Sequence, residues 1–184
     1  MASGKRVGEP IKQEAACDPA PATMRVGHVH LKVANMERAV AFYRDVLGLD
    51  VIQIAFEGTV TFISAGSYHH HIALNTSHSL GGSPPPSGHT GLYHVAFVYP
   101  DRKALARAYQ RVAAAGIVVQ GFDHGVSEAL YFDDPDGNGI ELYWDCPPKR
   151  WTYVEGSILN VGMNDPFDPA ILLAELERSE LSVI

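Results

Sequence analysis

The amino-acid sequence predicts an α+β fold: two tandem βαβββ modules forming a curved, barrel-like mixed sheet around a cavity. Three observations carry this expectation. Short stretches alternate apolar and polar residues with period 2, as half-buried strands do. Each half of the chain holds one helical pattern with its own start and stop residues. The halves repeat at a nearly fixed offset, since His94 follows His28 by 66 positions and Tyr109 follows Tyr43 by 66. After the helix the offset becomes 68, as between Gly48 and Gly116 or Leu74 and Leu142. Two copies are too few for a solenoid, so the modules must cover each other's apolar faces.

Residues 1–23 carry Pro10, Pro19, Pro21, several alanines and no periodicity, which predicts a disordered N-terminal tail. One domain is expected over 24–150, with module one at 25–76, a linker at 77–91 and module two at 92–146. In module one, His28-Val29-His30-Leu31-Lys32-Val33 alternates as the first strand. Asn35 stands as N-cap before Met36, Ala39, Val40, Phe42, Tyr43, Val46 and Leu47 at helical spacing, and Gly48 stops the helix. Leu49 to Ile54, Val60 to Ser64 and His70 to Thr76 supply the other strands. The run Gly81-Gly82-Ser83-Pro84-Pro85-Pro86 can be neither helix nor central strand. In module two, Tyr93 to Tyr99 is the first strand, Asp101 the cap, Leu105, Ala108, Tyr109 and Val112 the helix face, and Gly116 its end. Ile117 to Gln120, Ala129 to Asp133 and Gly139 to Trp144 follow as strands. The extension 151–184 contains one short amphipathic helix, capped by Asp168 with Pro169 at its first turn and Ile171, Leu172, Leu173, Leu176 and Leu181 on its apolar side. It packs on its own domain or against another subunit.

Composition narrows the function classes. Of 184 residues 46% are hydrophobic and 19% charged, with a formal net charge of −7. No Lys/Arg run forms a basic face, which argues against a nucleic-acid partner. No stretch approaches the roughly 20 apolar residues of a membrane span. Two cysteines, Cys17 and Cys146, make neither a disulfide framework nor a thiolate site, so a cytoplasmic protein is expected. Nine histidines point instead to metal or proton chemistry.

Strand alternation sorts these histidines. Val29, Leu31 and Val33 face the helix, leaving His28 and His30 on the other side; Ile140, Leu142 and Trp144 likewise leave Glu141 opposite. His28 and His94 occupy equivalent repeat positions. Alone, each is more readily a hydrogen-bonded strand-start histidine. Together with Glu141 on the same inferred face, they make a 2-His-1-carboxylate set, which holds a divalent ion and leaves positions open.

The segments His28-Val29-His30-Leu31-Lys32-Val33, Phe42-Tyr43-Arg44-Asp45-Val46-Leu47-Gly48-Leu49 and Asp134-Pro135-Asp136-Gly137-Asn138-Gly139-Ile140-Glu141 resemble the vicinal oxygen chelate superfamily. That superfamily includes glyoxalase I, fosfomycin-resistance enzymes, bleomycin-binding proteins and type I extradiol dioxygenases. The resemblance spans about residues 25–150. Glyoxalase-like members take a fourth ligand from the last strand of module one, where this chain has Ala73, so the resemblance favours the extradiol branch. It implies a metal on His28, His94 and Glu141: Fe(II) foremost, with Mn(II), Ni(II) or Zn(II) compatible.

It further implies His70 as the residue moving protons near bound oxygen, Tyr131 as a hydrogen bond to the diol, and His124 as a further catalytic group. The expected partners are an aromatic catechol-like substrate and O2, and the expected assembly is a homodimer. Strict alternation turns His71, not His70, toward the metal unless the strand starts after His70. The triple histidine is otherwise a polar strand end, and Tyr131 otherwise a core aromatic. Two other functions stay open: a metal-dependent lyase, isomerase or thiol transferase, and a non-catalytic small-molecule binder.

Overall fold

The structure, a computed structural model, describes residues 20–154, 158–160 and 162–180. Most of the N-terminal tail, 1–19, and Leu181 of the terminal helix lie outside them.

Module one runs β1 (Val29–Lys32), α1 (Met36–Ala41) with a π-helical turn over Phe42–Val46, β2 (Asp50–Ala55), β3 (Val60–Ser64) and β4 (Ile72–Asn75). Its sheet has the order β1-β4-β3-β2. Module two repeats the pattern with β5 (Val95–Tyr99), α2 (Arg102–Ala114), β6 (Gln120–Asp123), β7 (Ser127–Asp133) and β8 (Gly139–Asp145). Both helices start where a short side chain caps them. Asn35 Oδ1 accepts the Arg38 amide at 2.9 Å, and Asp101 Oδ1 accepts the Ala104 amide at 2.7 Å. Both end at a glycine with positive φ, Gly48 at 78° and Gly116 at 74°.

The extension adds a two-stranded ribbon, β9 (Tyr153–Val154) with β10 (Ile158–Leu159), and β11 (Asp165–Phe167). A 3₁₀ turn over Pro169–Leu173 then leads into α3 (Ala174–Glu180). β11 joins the second sheet outside β6, giving the order β11-β6-β7-β8-β5. Asp168 caps the turn through the Ala170 amide, 2.9 Å away. Leu172 is fully buried in the common core, so this segment packs on its own chain.

The repeat is realised in strand register. The parallel β1–β4 pair sets His30 opposite Ala73, and the parallel β5–β8 pair sets Ala96 opposite Glu141. These are the offsets of 66 and 68. Two strands begin later than their sequence suggests. β4 starts at Ile72, and His71 just before it still bonds to Ile63 and Val29 on the two flanking strands. β6 starts at Gln120 rather than Ile117, because the hairpin around Gly125 fixes its pairing with β7.

The modules meet through their helix-bearing faces. Leu31, Val33, Tyr43, Leu47 and Leu74 share one core with Leu105, Ala108, Val112, Phe132, Ile140 and Leu142. Polar ties cross the same boundary: Tyr43 donates to Asp134 Oδ2 at 2.9 Å, and Arg111 donates to the carbonyls of Val46 and Leu47. The opposite faces are bare. Ile52, Ile54 and Phe56 stand exposed on module one, and Tyr93, Val98 and Val118 on module two. The two sheets share no strand pair among the described residues, so one chain does not close them into one continuous barrel. No helix among these residues is long and apolar enough to cross a membrane.

Candidate active site

The site on module two follows from a turn and a register. Asp134 Oδ1 accepts the amides of Asp136 and Asn138, and Gly137 takes a φ of 79° that other residues rarely adopt. This turn sets β7 against β8 so that Tyr131 lies opposite Glu141. Ile140 and Leu142 are fully buried in the core, and alternation sends Glu141 to the other face. His94 precedes β5, the next strand over. Its Nε2 lies 2.9 Å from Glu141 Oε2, while the Tyr131 hydroxyl donates to Oε1 at 2.8 Å.

Beyond Tyr131 the polar chain continues. His124 Nε2 lies 2.9 Å from the Tyr131 hydroxyl, and His124 Nδ1 lies 2.8 Å from the carbonyl oxygen of Met163. Phe122 stacks beside His124 with ring centroids 6.4 Å apart. A cavity of about 650 Å³ opens here, lined by Tyr93, His94, Phe122, His124, Tyr131 and Asn164 among others. Burial, then the neighbouring Glu141 carboxylate, pushes the Tyr131 phenol well above its ordinary pKa, so it stays a donor at neutral pH.

The donor set of His94 and Glu141 fits a divalent ion. Ligand bonds to a first-row ion run about 2.0–2.2 Å, and two donors at right angles around it stand about 3 Å apart. His94 Nε2 and Glu141 Oε2 have that spacing. His94 Nδ1 is buried without a hydrogen-bond partner among the described residues, so its other nitrogen is the one with chemistry available.

The third expected ligand is not with them. No three His, Cys, Asp or Glu side chains among the described residues come close enough to hold a metal. His28 sits on module one beside His70, ring centroids 4.4 Å apart, and His70 in turn packs on Phe62 at 4.9 Å. Burial lowers the His70 pKa, as do His28, His69, His30 and His71 around it. His71 turns elsewhere: its Nδ1 accepts the Ala65 amide at 3.3 Å and lies 2.8 Å from Ser64 Oγ. With β4 starting after the histidine run, His70 is the one placed against His28. The chain thus gathers His94, Glu141, Tyr131 and His124 into one group and His28 with His70 into another. Sequence reasoning missed Met163, Phe122 and Asn164. The Met163 contact is made by a backbone carbonyl, for which no side-chain pattern gives a signal.

Comparison with known proteins agrees with this architecture. A family model described as Glyoxalase/Bleomycin resistance protein/Dioxygenase superfamily matches residues 25–142. The catechol-2,3-dioxygenase of Bacillus subtilis (strain 168) is 39% identical over 126 residues, covering 68% of this chain and 43% of that protein. The chain therefore spans less than half of that relative's length. Biphenyl-2,3-diol 1,2-dioxygenase 3 of Rhodococcus globerulus is 31% identical over 163 residues, 85% of this chain and 84% of that one. A glyoxalase/dioxygenase from Nostoc punctiforme, known by crystal structure, superposes with a TM-score of 0.57 at 26% identity, over 71% of this chain and 98% of its own. The paired βαβββ modules, the matching registers and these relatives lead to one assignment: the chain belongs to the Glyoxalase/Bleomycin resistance protein/Dioxygenase superfamily.

Proposed function

We propose that this protein is a non-haem Fe(II)-dependent extradiol dioxygenase that opens the ring of a catechol-like aromatic with O2. The observation that carries this reading is the polar chain His94–Glu141–Tyr131–His124, of which His94, Tyr131 and His124 line an aromatic-walled cavity. The two curated relatives are named as dioxygenases of catechol and of biphenyl-2,3-diol, which supports a vicinal aromatic diol as substrate.

His28, His94 and Glu141 would hold the ion. Bound there, Fe(II) supplies a centre with open positions for a diol and O2, and Mn(II), Ni(II) or Zn(II) would fit the same donors. Tyr131 keeps its O–H and orients a diol oxygen. His124 offers Nε2 beside it. His70, whose pKa burial and its histidine neighbours lower, stands against His28 as the candidate group to accept and return a proton.

Because His28 is apart from His94 and Glu141 within one chain, the triad is completed between two copies of a homodimer. The bare faces carrying Ile52, Ile54 and Phe56 on one module and Tyr93, Val98 and Val118 on the other are the surfaces such pairing would cover.

The test is oxygen uptake by protein loaded anaerobically with Fe(II), assayed with catechol and with biphenyl-2,3-diol. Stoichiometric oxygen use with formation of a ring-opened product is expected. Metal-loaded protein that consumes no oxygen with any diol overturns the reading and turns attention to lyase, isomerase or thiol-transferase chemistry.

A further inference from the structure

The extension beyond residue 150 lies outside the matched family region, yet it reaches into the site. β11 pairs antiparallel with β6, Asp165 opposite Asp123 and Phe167 opposite Gly121, which brings Met163 and Asn164 alongside His124. Module two is shaped to receive this segment. A Cβ at Gly121 would fall 2.8 Å from the Phe167 carbonyl oxygen, and one at Gly125 2.7 Å from Met163 Sδ. Both positions lack the atom that would push the extension away.

The contact it makes there has a fixed polarity. The Met163 carbonyl can only accept, so His124 Nδ1 must carry a hydrogen. Which imidazole nitrogen is protonated is set by the bond the other makes. With Nδ1 committed, Nε2 is the nitrogen left to exchange a proton with the Tyr131 oxygen 2.9 Å away: bare, it takes the single Tyr131 O–H in place of Glu141; protonated, it donates to that oxygen while the O–H stays on Glu141. The geometry points to a role for the C-terminal extension inside the active site: the Met163 carbonyl is the positioning group that holds His124 in its Nδ1-protonated form and aims Nε2 at Tyr131. This inference rests on the dioxygenase reading for its effect on turnover, but not for the tautomer itself.

The tautomer is read from long-range ¹H–¹⁵N spectra of the imidazoles in the full-length chain, with His124→Ala to assign the signal. Expected is a hydrogen on His124 Nδ1; a ring with its hydrogen on Nε2 and a bare Nδ1 overturns the inference. One glycine inserted after Asn164 then slides the Met163 carbonyl away while leaving Asp165–Phe167 on β6. The Nδ1–H signature should be lost and kcat on a diol should fall by ~10–100-fold with KM little changed. An unchanged signature and an unchanged kcat overturn it.

Should the insertion unfold the chain, two substitutions decide by hydrogen exchange over 162–167. His124→Asn keeps a donor near the Nδ1 position and should preserve protection; His124→Gln does not and should lose it. Equal protection in both overturns the inference. If no diol is consumed by wild-type protein, the dioxygenase reading fails, while the tautomer and exchange measurements still decide the role of Met163.

Discussion

Tyr131 has a single O–H and two neighbours within reach, Glu141 Oε1 at 2.8 Å and His124 Nε2 at 2.9 Å. Removing that oxygen separates holding the ion from handling the substrate. Tyr131→Phe should keep its metal, because no ligand is lost, yet lower kcat by ~10–100-fold, the worth of one hydrogen bond to a charged group. Metal analysis alongside oxygen uptake checks both halves. His70→Ala should likewise retain metal and lose ~10²–10⁴-fold in kcat, the range of general acid–base catalysis, while His71→Ala is milder. Equal losses in the two variants would contradict the placement of His70 against His28 and of His71 against Ser64. At this scale the sequence showed chemistry better than orientation. The family resemblance matches Tyr131 to Glu141 by their spacing of ten residues; that the two are cross-strand partners is seen in the β7–β8 register. The choice between His70 and His71 could not be made from alternation, since alternation ends where β4 ends, and its first residue is visible only in the hydrogen bonds of the rim.

Elements are fastened by a few side chains whose loss has a calculable sign. Arg102 at the start of α2 donates to Glu128 on β7 and to Glu175 on α3, and Arg150 approaches the same Glu128 at 3.2 Å. Glu128 is buried, so Arg102→Ala should cost about 2 kcal/mol in urea unfolding, and Arg150→Ala less because Arg150 is exposed. Between modules, Tyr43 on the π-helical turn donates to Asp134; burial first and Asp134 second push its phenol far above the usual tyrosine range. Below pH ~10 the phenol is protonated folded or unfolded, and its contribution is constant. Above that pH the unfolded chain ionises and the folded one does not, so stability should fall by about 1.4 kcal/mol per pH unit from this group. Tyr43→Phe should cost about 1 kcal/mol at pH 7 and flatten the alkaline decline; a decline of undiminished slope would assign it to other groups. Caps and stops were legible here: Asn35, Asp101, Gly48 and Gly116 act as their residue types dictate. β6 was not, because Ile117, Val118 and Val119 have strand-like composition while the hairpin at Gly125 sets the pairing three residues later.

For the molecule as a whole, the proposed two-copy site makes a prediction that no single-chain site shares. His28→Ala and Glu141→Ala should each be inactive alone. When the two are refolded together, a mixed dimer pairs the intact His28 of one variant with the intact His94 and Glu141 of the other. With half the dimers mixed and one good site in each, activity and metal content should return to about a quarter of wild type, as two-fold symmetry requires. No recovery after mixing would place the triad within one chain. The repeat offset foretold the two modules and their registers, but not which faces would meet, because both faces of each sheet carry apolar residues. In the proposed dimer, the separation of His28 from Glu141 would also tie occupancy to abundance. An ion held by two copies is released as they dissociate, so diluting the protein should weaken its apparent hold on metal, and a chelator should in turn loosen the dimer. Under that proposal, expression level would act as a control on how much of the protein is armed.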